Sequence, residues 1–302
     1  MVWLVVLAAC GEPATFFTDP LQLLPPTLGE LGITATTAPA ELIPYAPVWP
    51  FWSSGSDKTR FAFLPSAIDT TIADAWQFPV GTVFVKTFGY AGGPVETRVL
   101  RLLDPGWSFD VYRWRDDASD ADLVELETRI VVDAAPGPHT IPGRLDCRTC
   151  HESAPSPVLG FSELQLADDV LATLDARGLR SQVAGPPVRI PDADPTTHAV
   201  LGLFQGNCVQ CHHGGAGPNA SFDLRFSVAL ANTIDHPTES SGSAPGIRVV
   251  PGDPAHSILY LAYARDTANP DVKAMPPLGI DRADAAGLAT LETWIEGLPA
   301  AR

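Results

Sequence analysis

The sequence predicts a mixed α+β protein, in which an N-terminal all-β, sandwich-like domain is followed by an α-helical domain. From about residue 45 to residue 141, aromatic and β-branched residues alternate with polar ones, and a period of two is typical of half-buried strands. After the first cysteine motif the apolar residues recur at a helical period instead. A chain of 302 residues is long enough to bury a sizeable core in about two domains.

The first ten residues resemble a bacterial lipoprotein signal. An apolar run over residues 2–7 leads into an Ala-Ala-Cys-Gly sequence that contains Cys10. In such signals the segment before the cysteine is removed and the new N-terminal cysteine is acylated. No lysine or arginine precedes the run, so an ordinary thiol remains the alternative. We expect residues 1–10 to be a signal with Cys10 lipidated, and the Pro- and Thr-rich residues 11–40 to be a tether that wraps onto the first domain.

Four alternating runs predict the strands of the β domain, which we place at residues 41–145. Proline, glycine and aspartate interrupt the pattern between them, as expected for turns. The runs are residues 81–88, 95–102, 108–114 and 124–132.

Helices follow, each with a recognisable start or stop. The predicted signals are Ser162 as the cap of a helix that Gly178 ends, Thr196 or Thr197 as the cap of a helix running into Cys208, a helix over residues 257–265, and Asp281 as the cap of the last helix. We place a helical linker with the first motif at residues 146–190 and a helical domain at residues 191–302.

Two C-x-x-C-H motifs carry the chemistry. They are Cys147-Arg-Thr-Cys150-His151 and Cys208-Val-Gln-Cys211-His212. This spacing is the attachment signature of a c-type haem, because two cysteines on one turn can bond the vinyl groups along one haem edge while the histidine binds the iron. One structural zinc held by the four cysteines, or disulfides, is the alternative. The histidine after each pair and the apparent export signal favour two haems.

Met275 is the candidate for the second axial ligand of the haem at His212. It stands before two prolines that fix the backbone, and the only other methionine is Met1. Ligation by histidine and methionine raises a haem's potential into the electron-transfer range. At most one haem can therefore have this pair, since the sequence offers no second internal methionine.

The haem at His151 has no comparable partner. The free histidines are His139, His198, His236 and His256, while His213 is too close to His212 to be a natural choice. The first iron would then use one of these, another ligand, or an open position. An open position matters because it can bind small molecules, whereas a closed one only passes electrons.

The charge of the chain is strongly acidic. Lys plus Arg is 19 against Asp plus Glu 35, a net charge of -16. This balance argues against nucleic acid and anionic lipid as partners and favours a basic redox protein. Beyond the N-terminus no apolar run approaches the ~20 residues of a membrane span. We therefore expect a periplasmic protein that is anchored to the membrane only through a lipid at Cys10.

Several stretches resemble an exported diheme c-type cytochrome family, in which a β domain precedes a class I-like cytochrome c domain. The resemblance implies two covalent haems and electron transfer, and it covers most of the mature chain. The family pattern has an aromatic residue shortly before the first motif, where Thr140-Ile-Pro-Gly stands here. The stretches are residues 45–65, 76–88, 96–98, 207–212, 222–225, 248–260, 275–279 and 294–295.

A weaker likeness concerns the β domain. Residues 78–86, followed by a late C-x-x-C-H, are similar to cytochrome P460, a β-rich haem protein in which a lysine is linked to the haem. The likeness implies that Lys86 approaches the first haem. The alternative is a strand lysine that faces solvent or a carboxylate.

We expect an electron carrier rather than an enzyme, because no Ser/His/Asp or phosphate-loop arrangement stands out. The rival class is a haem enzyme with an open first iron, either P460-like or peroxidase-like. The short spacing of the motifs and the lack of a methionine between them count against a diheme peroxidase. A third class is a lipid-anchored binding module whose β domain docks a partner.

Overall fold

The computed structural model describes most of the chain. The described residues are 23–73, 75–125, 127–135, 137–181, 185–191, 194–214, 222–239, 245–265 and 268–299. They form a mixed α+β structure with antiparallel strands in the first half and helices in the second, which confirms the predicted class at that level.

Six strands form one antiparallel sheet. Each strand pairs with its neighbours in the sequence, so that the order in the sheet is the order in the chain. The strands are β1 (Ile43–Pro44), β2 (Asp57–Phe63), β3 (Val83–Tyr90), β4 (Gly93–Leu102), β5 (Trp107–Trp114) and β6 (Ala121–Val124). Short turns join the strands from β3 to β6, whereas longer segments join β1 to β2 and β2 to β3, and antiparallel neighbours need no crossover connection.

A separate two-stranded ribbon follows, formed by β7 (Ile130–Val132) and β8 (His139–Ile141). The single strand predicted over residues 124–132 is therefore wrong, because its two ends pair in different sheets. The three other predicted runs correspond to β3, β4 and β5. The ribbon packs Val132 and Ile141 against Val111 of the large sheet.

The large sheet has a core on each face, as the period of two requires. Val83 and Val85 belong to one hydrophobic cluster, and Phe84 between them belongs to another. The first cluster also contains Leu28 and Leu31 of a short 3-10 helix, so part of the segment predicted as a tether contributes buried core residues.

Six α-helices follow the large sheet in the part of the chain that the structure describes. They are α1 (Arg144–His151), α2 (Asp168–Ala176), α3 (Pro195–Asn207), α4 (Ala229–Thr233), α5 (Ile258–Ala264) and α6 (Ala285–Gly297). The helix predicted over residues 257–265 corresponds to α5. The third core lies between α3 and α6, where Phe204, Leu291 and Trp294 are buried.

Three predicted helix starts are wrong. The N-cap of α2 is Ala167 rather than Ser162. Helix α3 is capped by Asp194, whose carboxylate accepts the backbone N–H of Thr197 at 2.7 Å, so the threonines lie inside the helix.

The last helix is capped by Asp284, which accepts the N–H of Gly287 at 3.0 Å. Asp281, the predicted cap, accepts hydrogen bonds from Thr140 of β8 instead, at 2.9 Å from the hydroxyl and 3.1 Å from the backbone N–H. Asp281, three residues before the actual cap, thus makes a contact between the two halves of the chain.

The two halves are joined by the segment that follows β1. A Cβ added at Gly202 of α3 would lie 2.2 Å from the Trp49 ring, and one at Gly206 would lie 2.8 Å from the Trp49 carbonyl oxygen. The missing side chains leave room for Trp49 on the helix. This contact places the end of α3, and with it the second motif, beside the β half.

Candidate cofactor site

The first motif lies on α1, whose start is fixed by a carboxylate. Asp146 accepts the backbone N–H of the N-cap Gly143 at 3.1 Å, and Arg129 donates two hydrogen bonds to it, at 2.6 and 2.7 Å. The bond from Arg129 holds the pKa of the Asp146 carboxyl below its usual value. A charged acid in the first turn also suits the helix dipole.

His151 is held in one orientation at the end of α1. Its Nδ1 lies 2.6 Å from the carbonyl oxygen of Pro157, and its ring packs on Phe109 with centroids 5.2 Å apart. A carbonyl only accepts, so Nδ1 carries the proton and Nε2 has a free lone pair. Burial, with a smaller contribution from Lys86, lowers the pKa of His151 to about 4. A neutral imidazole held by a hydrogen bond through its other nitrogen is the form that binds a metal.

A cavity of about 350 Å³ opens in front of this motif. Cys147, Cys150 and His151 all line it, together with apolar and basic side chains. Cofactor-sized ligands occupy pockets of about 300–1,000 Å³. The donor set, the free Nε2 and the adjacent space therefore fit a covalently attached haem at this motif.

The second motif continues directly from α3. The N–H of His212 donates to the carbonyl oxygen of Cys208 at 2.9 Å, which keeps the C-x-x-C-H turn compact. The His212 ring packs on Phe222, with centroids 4.6 Å apart. Its Nδ1 is buried without a hydrogen-bond partner in the described part of the chain, and burial lowers the pKa of the imidazole. A buried, neutral imidazole is the form of histidine that ligates a metal.

The two motifs meet in space. The thiol of Cys150 interacts with that of Cys211, and this contact together with burial raises the pKa of Cys150. Beside it, Nε2 of His213 donates to the carbonyl oxygen of Ser153 at 2.8 Å. The second cysteine of each motif thus faces that of the other, although the motifs belong to different halves of the sequence.

The four motif cysteines are free thiols in this arrangement. Among the described residues, no three or more Cys, His, Asp or Glu side chains form a cluster able to hold a metal ion. The described geometry therefore gives the four-cysteine zinc alternative no support.

Met275 lies in a small apolar cluster with Val272 and residues of α5. Its backbone N–H donates to the carbonyl oxygen of Ala262 at 2.9 Å. Cys208, by contrast, packs in the core between α3 and α6. Contacts of Met275 with His212 are not among those that the structure describes, so the pairing of these two ligands stays a prediction.

The histidines proposed for the first haem have other partners. His139 is buried between Glu96 at 2.8 Å and the Tyr90 hydroxyl at 3.0 Å. The others lie near carbonyl or carboxylate groups: His198 near Pro191, His236 near Pro237 and His256 near Asp253. Of the five histidines considered from the sequence, all within the described ranges, only His213 lines the cavity at the first motif.

Basic side chains on the sheet form another wall of the cavity. Lys86 is among them. The approach of Lys86 to the first haem, which the weaker likeness implies, stays a prediction. Lys58, Arg60 and Arg98 accompany Lys86 but were not recognised from the sequence as site residues. The alternation along each strand places all three at positions on the inward face. Only the register between the strands shows that these side chains lie together.

The N-terminal prediction concerns residues that the structure does not describe, since Cys10 lies outside the described ranges. Within those ranges no helix is both long enough and apolar enough to cross a bilayer.

Comparison with known proteins gives no relative. The chain matches no protein-family model, no curated protein and no solved structure.

Proposed function

We propose that the chain is a diheme c-type cytochrome that carries electrons. One haem is attached at Cys147 and Cys150 with His151 as a ligand. The other is attached at Cys208 and Cys211, with His212 and Met275 as ligands. Bound haem supplies one-electron redox chemistry, and the chain supplies attachment, orientation and a shielded environment.

The contact between the motifs carries this proposal. Cys150 and Cys211 are attachment points, and their thiols face each other. Two redox groups fastened at neighbouring points are suited to exchange electrons within one molecule.

The expected environment of the protein follows from the N-terminus and the charge. We propose export to the periplasm and a lipid anchor at Cys10. The net charge of -16 favours association with a basic redox partner, because opposite charges steer encounter.

The neighbouring attachment points can be tested by electron paramagnetic resonance of the oxidised full chain, produced with the haem-attachment machinery. Two adjacent irons should show magnetic coupling, and the double variant Cys208→Ala/Cys211→Ala should lose it along with one haem. Wild-type signals that equal the sum of two isolated haems would contradict the proposed contact.

The carrier role can be tested with reduced protein and two small acceptor proteins, one basic and one acidic. The basic acceptor should be reduced faster, and its rate should fall as salt rises, because surface charges are screened over a Debye length of about 10 Å at 0.1 M. Equal rates for both acceptors, independent of salt, would argue against a basic partner.

The second candidate function is a haem enzyme with an open position on the first iron. The observation in its favour is that His139, His198, His236 and His256, all described, lie off the wall of the cavity at His151. His213 does line it, but its Nε2 donates to the carbonyl oxygen of Ser153 at 2.8 Å. Carbon monoxide should then change the absorption spectrum of the reduced protein. If carbon monoxide leaves the spectrum unchanged because both irons are six-coordinate, the enzyme hypothesis loses its basis.

A further inference from the structure

One face of the large sheet changes from apolar to basic along the strands. Ala62, Phe84 and Leu100 are cross-strand neighbours and pack in the hydrophobic cluster beneath the sheet. Two residues further along each strand, on the same face, the row consists of Arg60, Lys86 and Arg98. The next row contains Lys58, Phe88 and Glu96. We call Lys58, Arg60, Lys86 and Arg98 the cation wall.

The cation wall holds more positive charge than its carboxylate neutralises. Glu96 is fully buried and accepts two hydrogen bonds from Arg98, at 2.5 and 3.0 Å. In the described part of the chain no carboxylate lies within ion-pair distance of Lys58, Arg60 or Lys86. Three basic side chains therefore stand close together without an ion pair in this part of the chain, and the carboxylates of Asp57 and Glu96 act on Lys58 and Lys86 only from beyond ion-pair distance.

Other contacts compensate them only in part. The Lys58 ammonium donates to the carbonyl oxygen of Phe51 at 2.8 Å. The Phe88 ring lies under three of the cations, 4.2 Å from the Arg98 guanidinium, 5.4 Å from Lys86 and 5.9 Å from Lys58. A ring face attracts cations but carries no net charge. Like charges held together away from water are costly unless an anion accompanies them.

The charges act on one another. Burial, followed by repulsion from Arg60 and Arg98, lowers the pKa of Lys58 to about 7. The same causes lower the pKa of Lys86 well below its ordinary value. An anion against the wall would oppose both effects, because an opposite charge favours the protonated lysine.

The other ionised side chains of the cavity are already paired. Asp146 is bound by Arg129, and Arg225 is bound to Asp223 at 2.7 Å. All four members of the cation wall line the same cavity as Cys147, Cys150 and His151. The basic side chains that lack a described ion pair therefore face the space in front of the first motif.

We propose that the cation wall is an anion-binding site, for a carboxylate or a small oxyanion, within the cavity at the first motif. The proposal deepens the proposed function, since the anion would lie beside the first haem. Two sources share this chemistry: the carboxylate groups of the haem itself, or a free anion such as a substrate of an open iron. Both are held by charge-assisted hydrogen bonds from Arg and Lys.

The test uses the full chain and three variants. Lys86→Met removes one charge of the wall and keeps an unbranched apolar side chain, and Lys86→Arg keeps the charge. Arg115→Met is the matched control, since Arg115 is paired with Asp122 in an exposed ion pair at the edge of the sheet. Haem content is measured first by mass, and thermal unfolding shows that each variant is folded.

Calorimetric titration with inorganic phosphate, and separately with acetate, tests the free-anion source. The wild type and Lys86→Arg should bind, and Lys86→Met should bind about tenfold to a hundredfold more weakly, which corresponds to the loss of one charged hydrogen bond. A chloride titration at equal ionic strength accounts for screening.

The pH dependence of the first haem's reduction potential tests the other source. If the haem carboxylates fill the site, added phosphate gives no heat. The reduction potential changes with pH where the haem carboxylates ionise. The pH of this ionisation should then rise by about one unit or more in Lys86→Met, but not in Lys86→Arg or Arg115→Met.

If Lys86→Met and Arg115→Met give the same anion affinity and the same pH dependence of the potential, the proposed anion site is wrong, while the haem proposal stands. If the chain carries no haem, the proposed function fails, and the phosphate and acetate titrations alone decide the anion site. Binding that depends on Lys86 would then support it, and the lack of such binding would overturn it.

Discussion

Asp146 serves both the start of α1 and the link to the β half of the molecule. It receives the N–H of Gly143 and the guanidinium of Arg129. Because α1 carries the first motif, this one carboxylate sets where the motif begins. The sequence indicated the motif but not the role of Asp146, because Arg129 is brought to it only by the fold.

Replacing Asp146 by Asn should lower the free energy of unfolding by about 0.5–1 kcal/mol at neutral pH, because Asn keeps an acceptor oxygen but loses the ion pair with Arg129 and the charge near the helix N-terminus. The Asp146 pKa is lowered from its ordinary 3.8, so its stabilisation is present above pH 3.8 and is lost as the pH falls below that value. Denaturant unfolding should therefore show a difference at about pH 6 that shrinks in acid. Asp116→Asn, at an exposed turn, is the control; a difference of equal size at every pH would contradict the assignment.

Met275 offers a second test at the level of one residue. Met275→Ala should remove the weak methionine-to-iron absorption band and lower the potential of one haem, because the thioether ligand raises it. Val272→Ala removes apolar volume from the same cluster without touching the sulfur and should leave band and potential unchanged. A band that survives Met275→Ala would show that another group ligates the second iron.

At the scale of elements, α3 owes its position to two glycines. Gly202 and Gly206 lie four residues apart on one helix face, where a Cβ would collide with Trp49. Glycine in a helix is usually a weakness of about 0.5–1 kcal/mol relative to alanine. Here it allows the close approach that brings the second motif to the first.

Gly202→Ala should therefore destabilise the protein by about 1–3 kcal/mol, the usual cost of overpacking, despite the better helix propensity of alanine. Gly297→Ala at the end of α6 is the matched control, since a Cβ there meets nothing within 4 Å. It should be neutral or slightly stabilising. Urea unfolding of the two variants measures the difference. Equal stabilities would show that the Trp49 ring can move aside for the added methyl group without loss of stability.

The elements also show where prediction from sequence succeeds. Strands β3, β4 and β5 were predictable because alternation is a local property of each run. The break between β6 and β7 was not, because both pieces alternate and only their pairing partners differ. Asp281 and Asp284 are equally good caps by residue type, and only the contact of Asp281 with Thr140 decides between them.

At the scale of the whole molecule, hydrogen bonds fasten the β half to the helical half. The backbone N–H of Trp52 donates to Asn207 at 2.8 Å, and its indole N–H donates to the carbonyl oxygen of Arg282 at 2.8 Å. Asn207 directly precedes Cys208, so this fastening holds the second motif in place. Both motifs could be read from the sequence, but their contact could not, since it depends on these long-range bonds.

The central claim is that the chain carries two c-type haems at neighbouring motifs, and the intact mass of the full chain, produced with the haem-attachment machinery, tests it most directly. The wild type should carry two covalent haems. Cys147→Ala/Cys150→Ala and Cys208→Ala/Cys211→Ala should each carry one. A wild-type mass with one haem or none would contradict the claim.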